Sequence, residues 1–338
     1  MRLAYYFTIA YIVVFLLSLV SCQENKKKDS NNQQQDTTLT INKIDSLIRL
    51  NPLNDSLFYR RSQLHLAKNN LKEAINDLEL AIKVDSSKVK YYLDLANLYL
   101  LNAQSEKTKK LLEKATKIFP NNYQVFQELG KLYFLVQEYN KAHKYLDRSI
   151  ELYPYSAKAY YFKAMAFLET GDTAKAKAYL NKAVETNPKF YDGFLMLGAI
   201  ALNKKDTLAK QYFNTAYMLD TTSIEAKFSL AYYYQTIAKN YPKATEIYEY
   251  IITHLDSSYS PAYFNIGYMV LNYTQHPEAS INYFLKAYSF DTTNVEALVN
   301  TGIAYKELGK KDSAKFYLMK ALKIKTNDDR IINLLNSL

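Results

Sequence analysis

Through most of the chain, apolar residues return at three- and four-residue steps, the spacing that gathers them on one face of a helix. The segments "YYLDLANLYLLNAQSEKTKKLLEKATKIFP" (91–120), "VFQELGKLYFLVQEYNKAHKYLDRSIELYP" (125–154) and "AYYFKAMAFLETGDTAKAKAYLNKAVETNP" (159–188) carry this pattern in one register. Pro120, Pro154 and Pro188 stand 34 residues apart, and Pro52 lies two periods upstream of Pro120. A small residue recurs at Ala81, Ala115, Ser149, Ala183, Ala216, Ala287 and Ala321, with Ile251 as the one large exception. A second small column runs Ser62, Ala96, Gly130, Ala164, Gly198, Ala231, Gly267 and Gly302. Three residues after each of these comes a mostly large one: His65, Tyr99, Tyr133, Phe167, Ala201, Tyr234, Val270 and Tyr305. Small residues let two helices approach closely, and the large ones fill the gap beside them. Each period therefore predicts two helices, and proline follows the second because it cannot continue a helix. The spacing slips by one or two residues in places, and the turns are expected to absorb those slips.

These columns resemble the tetratricopeptide repeat, eight copies of it from about Asp55 to Thr326. The resemblance implies an all-α fold, a right-handed α-solenoid of antiparallel helix hairpins occupying residues 39–338. "TINKIDSLIRLNP" (40–52) reads as a leading helix over 40–51, and "DDRIINLLNSL" (328–338) as part of a capping helix over 327–338. An array needs such ends because an uncovered repeat exposes its apolar face.

The first 39 residues do not follow the period. Arg2 precedes a nearly unbroken apolar run, Leu3 to Val20, placed as an export signal is placed. "LVSC", Leu19 to Cys22, resembles the bacterial lipobox and holds the only cysteine of the chain. That resemblance implies a signal peptide over 1–21, removed to leave Cys22 as the first residue, its thiol carrying the lipid. The other reading is a retained signal anchor with an incidental cysteine. Residues 22–38 then form a flexible tether, since "QENKKKDSNNQQQDTT" contains no apolar side chain with which to order itself. Gln23, rather than Asp, beside the cysteine implies an outer-membrane destination in the bacterial envelope.

Composition narrows the fold further. The 338 residues include 33 Tyr and no Trp, with only 7 Gly and 7 Pro, too few for a turn-rich β fold. The net charge of +10 could suit nucleic acid, anionic lipid or an acidic partner. Its scatter through the repeats reads as a solvated surface.

No catalytic constellation stands out. The seven glycines build no phosphate-binding loop or nucleophile elbow. His65, His143, His254 and His276 have no ligand spacing, so no metal and no cofactor is expected. Glu169 and Asp172 flank a turn and read as caps. Asp-Ser/Thr-apolar triplets begin at Asp45, Asp55, Asp172, Asp206 and Asp312. They resemble O-glycan acceptors of some Gram-negative envelopes, and equally they are the residues that start helices.

The tetratricopeptide resemblance implies that the first helix of each unit lines an inner face. The lining positions include Tyr59, Asn97, Lys131 and Tyr161 in a mixed polar half, then Phe228, Tyr232, Phe264 and Tyr268 in an aromatic half. Of the lysine–asparagine–arginine clamp by which some family members hold an acidic chaperone terminus, only Asn97 and Lys131 have suitable chemistry. The expectation is a lipid-anchored, non-catalytic adaptor that receives an apolar segment of a protein partner on Phe228, Tyr232, Phe264 and Tyr268, with self-association through the groove a further use of the face. Against it stand close packing of those four residues on neighbouring helices, and a glycan-binding surface lipoprotein, which many exposed aromatics would serve. Nucleic acid does not suit an exported chain.

Overall fold

A computed structural model describes residues 40–338. The expected signal peptide, Cys22 and the tether lie outside the described residues. Among the described residues there are helices and no strand, and no helix is long and apolar enough to cross a membrane. The chain divides into two compact units, Met1–Pro188 and Lys189–Leu338.

In the first unit, α1 (Ile41–Leu50) precedes four hairpins. These pair α2 (Asp55–Ala67) with α3 (Leu71–Val84), α4 (Val89–Leu101) with α5 (Ser105–Ile118), α6 (Tyr123–Leu135) with α7 (Tyr139–Leu152), and α8 (Ala157–Glu169) with α9 (Thr173–Thr186). The second unit pairs α10 (Tyr191–Asn203) with α11 (Leu208–Leu219) and α12 (Ile224–Thr236) with α13 (Tyr241–Tyr250). It continues with α14 (Ser260–Asn272) and α15 (Pro277–Phe290), then α16 (Val295–Glu307) and α17 (Lys311–Ile324), and closes on α18 (Asp329–Asn336).

Each element has a local cause. Polar residues stand before many first helices: the side chains of Asn54, Asn122, Ser156, Ser223 and Asn294 each accept a backbone N–H of the first turn. The hairpin turn is made by one residue in left-handed conformation, Asn69, Ala103, Gln137 and Gly171 in the first unit. The next N–H then reaches back to the large-column residue, as Gln104 to the Tyr99 carbonyl and Glu138 to the Tyr133 carbonyl, both at 2.8 Å.

The small column marks where the helices of a hairpin touch. A Cβ on Gly130 would stand 2.6 Å from Cγ of Leu146, and one on Gly198 2.5 Å from Cε1 of Phe213. The facing side chains Leu78, Leu112, Leu146 and Leu180 are fully buried, spaced 34 residues apart. Ser62, Ala96 and Ala164 occupy the same column and are buried too.

One irregularity lies elsewhere than expected. After α13 the helix widens into a π turn, Ile251–Leu255, where the Asp256 N–H bonds to the Ile251 carbonyl five residues back. The other second helices close four residues back, on Ala81, Ala115, Ser149 or their equivalents. Ile251 is fully buried in a slot otherwise held by Ala or Ser, and the inserted residue gives its larger side chain room. So one of the slips in spacing sits inside a helix; the turns between α12 and α13 and between α14 and α15 absorb others.

Across repeats of the first unit, an acidic side chain recurs at Asp45, Glu79, Glu113 and Asp147, and it is held in two ways. Tyr99 donates its hydroxyl to Glu79 at 2.5 Å, and Tyr133 to Glu113 at 2.7 Å. In those repeats the residue four before the tyrosine is Leu95 or Leu129. Where the tyrosine position holds His65 or Phe167, that earlier residue is a cation instead. Arg61 pairs with Asp45 at 2.7 Å and with Asp77 at 2.6 Å, and Lys163 pairs with Asp147. The Lys163 ammonium also stands 4.6 Å from the Tyr179 ring centre. Each acid thus finds one donor, by whichever route its repeat provides.

Two predictions follow from this geometry, both read by thermal unfolding. Gln137→Gly should raise stability by about 1 kcal/mol by relieving the left-handed backbone. Gly171→Ala should lower it by a similar amount, although a Cβ there meets nothing within 4 Å, and Gly130→Ala should cost more because Leu146 blocks it. Second, Lys163→Leu alone should destabilise by on the order of 1 kcal/mol. Adding Phe167→Tyr and Asp147→Glu, which transplants the α6 arrangement, should restore most of the loss; strictly additive effects would refute the exchange.

Candidate functional site

On the inner helices of the first unit, Tyr59 joins a polar network. Tyr59 on α2 stacks on Tyr91 of α4, ring centres 5.0 Å apart, and donates its hydroxyl to Asp94 at 2.9 Å. The Lys90 ammonium stands 4.9 Å from the Tyr59 ring centre. Burial raises the Asp94 carboxyl above its ordinary value, against the Tyr59 hydrogen bond and the Lys90 charge. At the neighbouring Asp55, burial works in the same direction, but hydrogen bonds from Lys88 and Tyr91 outweigh it and hold the group below its ordinary value.

Asn97 is exposed on α4. Lys131 pairs with Glu128 at 3.3 Å on its own helix, beside Gln127, whose Oε1 accepts the Ser156 hydroxyl at 2.6 Å. Tyr161 is buried, 3% exposed. Sequence reasoning missed Lys88, Tyr91 and Asp94, and read Asp55 only as a helix start or glycan acceptor. Their signal was a partner separation of 33 to 36 residues, one period give or take the width of a helix turn.

In the second unit the four aromatic residues lie at different depths. Phe228 is 5% exposed; it meets Tyr259 edge-on at 5.7 Å and Tyr248 at 5.3 Å. Tyr248 beneath it donates to Gln235 at 2.9 Å, and burial pushes that phenol well up. Tyr232 and Phe264 are half-buried, Phe264 resting on Phe284 at 5.8 Å. Tyr268 is 36% exposed and turns its edge to Tyr273, which is 44% exposed and stacks on Tyr241 at 3.6 Å. The sequence reading omitted Tyr241 and Tyr273 because both sit at hairpin turns rather than on the inner-helix positions.

The remaining candidates are accounted for locally. His65 Nε2 lies 3.8 Å from Asp77, and His254 Nδ1 bonds to Thr253 at 2.7 Å. His276 borders an open hollow of about 490 Å³ with Pro277, Glu278, Asn282 and Leu308. No group of three or more His, Cys, Asp or Glu that could hold a metal occurs among the described residues. Of the Asp-Ser/Thr triplets, Asp172 and Asp206 accept backbone N–H groups at helix starts, at 3.0 Å and 2.9 Å. Asp45 and Asp55 instead hold Arg61, Lys88 and Tyr91.

Four stretches, residues 55–88, 89–122, 157–190 and 295–328, match the tetratricopeptide repeat family model. A search of curated protein sequences returns no match. Among solved structures, a chain of the APC/C hetero-tetramer Cut9–Hcn1 is similar at 15% identity and a TM-score of 0.55 over 87% of this chain, which spans 58% of that chain's length. A tetratricopeptide repeat protein from Parabacteroides merdae is similar at 16% identity and a TM-score of 0.53, over 73% of this chain and 97% of its own. The C-terminal part of a tetratricopeptide repeat-containing protein from Cytophaga hutchinsonii gives 16% identity and a TM-score of 0.58, over 72% and 99%. At such identities the likeness concerns the fold.

His143 yields a pH prediction. Its Nδ1 is buried with no hydrogen-bond partner among the described residues, and its ring centre lies 4.2 Å from that of Phe167. Burial lowers its pKa below the ordinary 6.5; the Lys163 and Lys175 charges push the same way and Asp147 opposes them. The unfolded chain therefore takes up this proton first, so the folded state is fully favoured above pH 6.5 and loses stability as pH falls below it, by at most about 1.4 kcal/mol per pH unit. His143→Phe should flatten that part of the stability–pH curve in denaturant titrations and leave the carboxylate region, near pH 4, unchanged.

Proposed function

The chain is built of tetratricopeptide repeats, and from that premise we propose that it is a non-catalytic adaptor, lipid-anchored through Cys22, which holds a protein partner in the bacterial cell envelope. The observation that carries the binding half is the aromatic surface of the second unit. Tyr268 and Tyr273 are substantially exposed, Tyr232 and Phe264 are half-buried, and Phe228 lies beneath as packing. Rings held on helices offer large contact area with few rotors left to freeze, which favours an apolar segment of a partner. The anchoring half rests on the lipobox-like "LVSC" and the apolar run before it. A tether at the membrane would raise the chain's effective concentration near membrane-bound partners, and Gln23 favours the outer membrane.

The two halves are separable by experiment. Tyr232→Ser combined with Tyr268→Ser should cut partner recovery after crosslinking in native membranes by about tenfold or more while shifting the melting temperature little. Phe228→Ser should instead destabilise the fold by about 3 kcal/mol. Undiminished recovery from the tyrosine variant would refute the aromatic site. Native protein should have the mass of a chain starting at Cys22 plus acyl groups, and Cys22→Ser should release it from the membrane; an unacylated mature mass would refute the anchor.

A further inference from the structure

Over the three hairpins from α4 to α9 the charge is not spread evenly between first and second helices, in contrast to α3, which carries two lysines against three acids. The second helices α5, α7 and α9 carry eleven Lys or Arg against five Asp or Glu, whereas the first helices α4, α6 and α8 carry four against three. On α5, Lys107, Lys110, Lys114 and Lys117 follow three- and four-residue steps and so share one face. The face continues in register, because Lys114, Arg148 and Lys182 stand 34 residues apart on α5, α7 and α9, and Lys110 and Lys144 repeat the same interval.

Part of this charge is engaged. Lys107, Lys141 and Lys175 stand 5.3, 5.2 and 5.2 Å from the ring centres of Tyr99, Tyr133 and Phe167, also one period apart. Lys144 and Arg148 each stand 5.9 Å from a ring centre, of Tyr145 and Phe126, and the others face water. The Lys110 side chain is 76% exposed and reaches Glu106 only at 3.9 Å; that of Lys182 is 60% exposed, with Glu185 at 2.8 Å. Arg148 pairs with Glu151 at 3.1 Å, both side chains exposed. Lys114, Lys117 and Lys144 are exposed and form no ion pair among the described residues.

We propose that this outer face of the first unit rests on an anionic phospholipid surface. A row of lysines repeated on three helices presents many flexible point charges at once, which suits mobile anionic headgroups. Tyr99, Tyr133, Phe167, Tyr145 and Phe126 lie against the cations of Lys107, Lys141, Lys175, Lys144 and Arg148, so these rings are taken up by charge rather than open as a stacking platform for bases. The inference leans on the anchor at Cys22 for one thing: the anchor makes a membrane the anion within reach.

The test uses the full chain mixed with vesicles of phosphatidylcholine, with or without phosphatidylglycerol. Flotation reports association, and lysine acetylation read by mass spectrometry reports which amines are covered. Lys110, Lys114, Lys117, Lys144 and Lys182 should acetylate several-fold more slowly only when phosphatidylglycerol is present, and high salt should remove the difference. Lys315 and Lys320 on α17 serve as references. Lys110→Glu, Lys114→Glu and Lys144→Glu together should abolish the protection and keep the melting temperature, since all three are exposed. Equal acetylation in both vesicles, in a chain that floats with both, overturns the proposal and leaves the anchor standing. Flotation with phosphatidylglycerol vesicles alone supports the face and overturns the anchor. Equal protection by duplex RNA or polyglutamate without vesicles overturns the lipid assignment in favour of a soluble polyanion.

Discussion

The interaction on which the hairpins depend is the seating of one large side chain of the second helix against the backbone of the first. Leu146 lies so close to Gly130, and Phe213 so close to Gly198, that a single added carbon would overlap them. Dense packing leaves no slack at that point. It fixes the distance between the two helices and their rotation about their own axes. Once rotation is fixed, every other position has an assigned direction: one row toward the partner helix, one toward the next repeat, and one outward. The π turn at Ile251 shows how stiff the constraint is. Where a bulky residue enters the small column of the second helices, the backbone takes in an extra residue while the neighbouring slot, Ala231 with the fully buried Tyr248, stays filled.

Polar groups meet a similar constraint by exchange. The acids Asp45, Glu79, Glu113 and Asp147, on α1, α3, α5 and α7, must each find a donor. Tyr99 and Tyr133 supply it from one position, and Arg61 and Lys163 from a position one turn earlier. The two solutions never coincide in one repeat, because a cation beside a tyrosine would leave one donor in a half-buried place without an acceptor. A leucine fills the unused position in the tyrosine repeats, so apolar packing and polar pairing are settled together. The cation–π contacts of Lys107, Lys141 and Lys175 sit on top of this arrangement and tolerate Phe167 as readily as tyrosine, since they need only the ring face.

How much of this the sequence disclosed depended on the range of each interaction. The hairpins, their period and the tight columns were legible because each comes from residues close in the chain and is repeated eight times. The π turn was not, since a spacing slip does not say whether a turn or a helix has taken the extra residue. The depths of Tyr161 and Phe228 were not, because positions equivalent within the repeat are covered by different neighbours: Tyr259 lies across Phe228, while its equivalent Phe264 rests on Phe284 and stays half-buried. The Tyr59–Asp94 bond was hidden for another reason. Its partners are offset by 35 residues rather than 34, so comparison of equivalent columns never sets them side by side. The basic charge, solvated as its scatter along the sequence suggested, is also ordered on the hairpins α4 to α9, which shows only when residues are sorted by first and second helix.

That sorting explains how one period can serve two kinds of surface. A substitution at an outward position changes neither the slot between helices nor the polar pairing, so its cost to the fold is small and its chemistry is free to vary. On α5, α7 and α9, lysines accumulate without disturbing the leucines they flank. In the second unit, Tyr232, Phe264 and Tyr268 stand on first helices above a layer already sealed by Tyr248 and Phe284. Repetition then does what a single pocket does in other folds. It sets weak contacts of one chemistry at fixed intervals, so that an extended partner or a broad charged surface can engage several together, each binding step helped by the one before it.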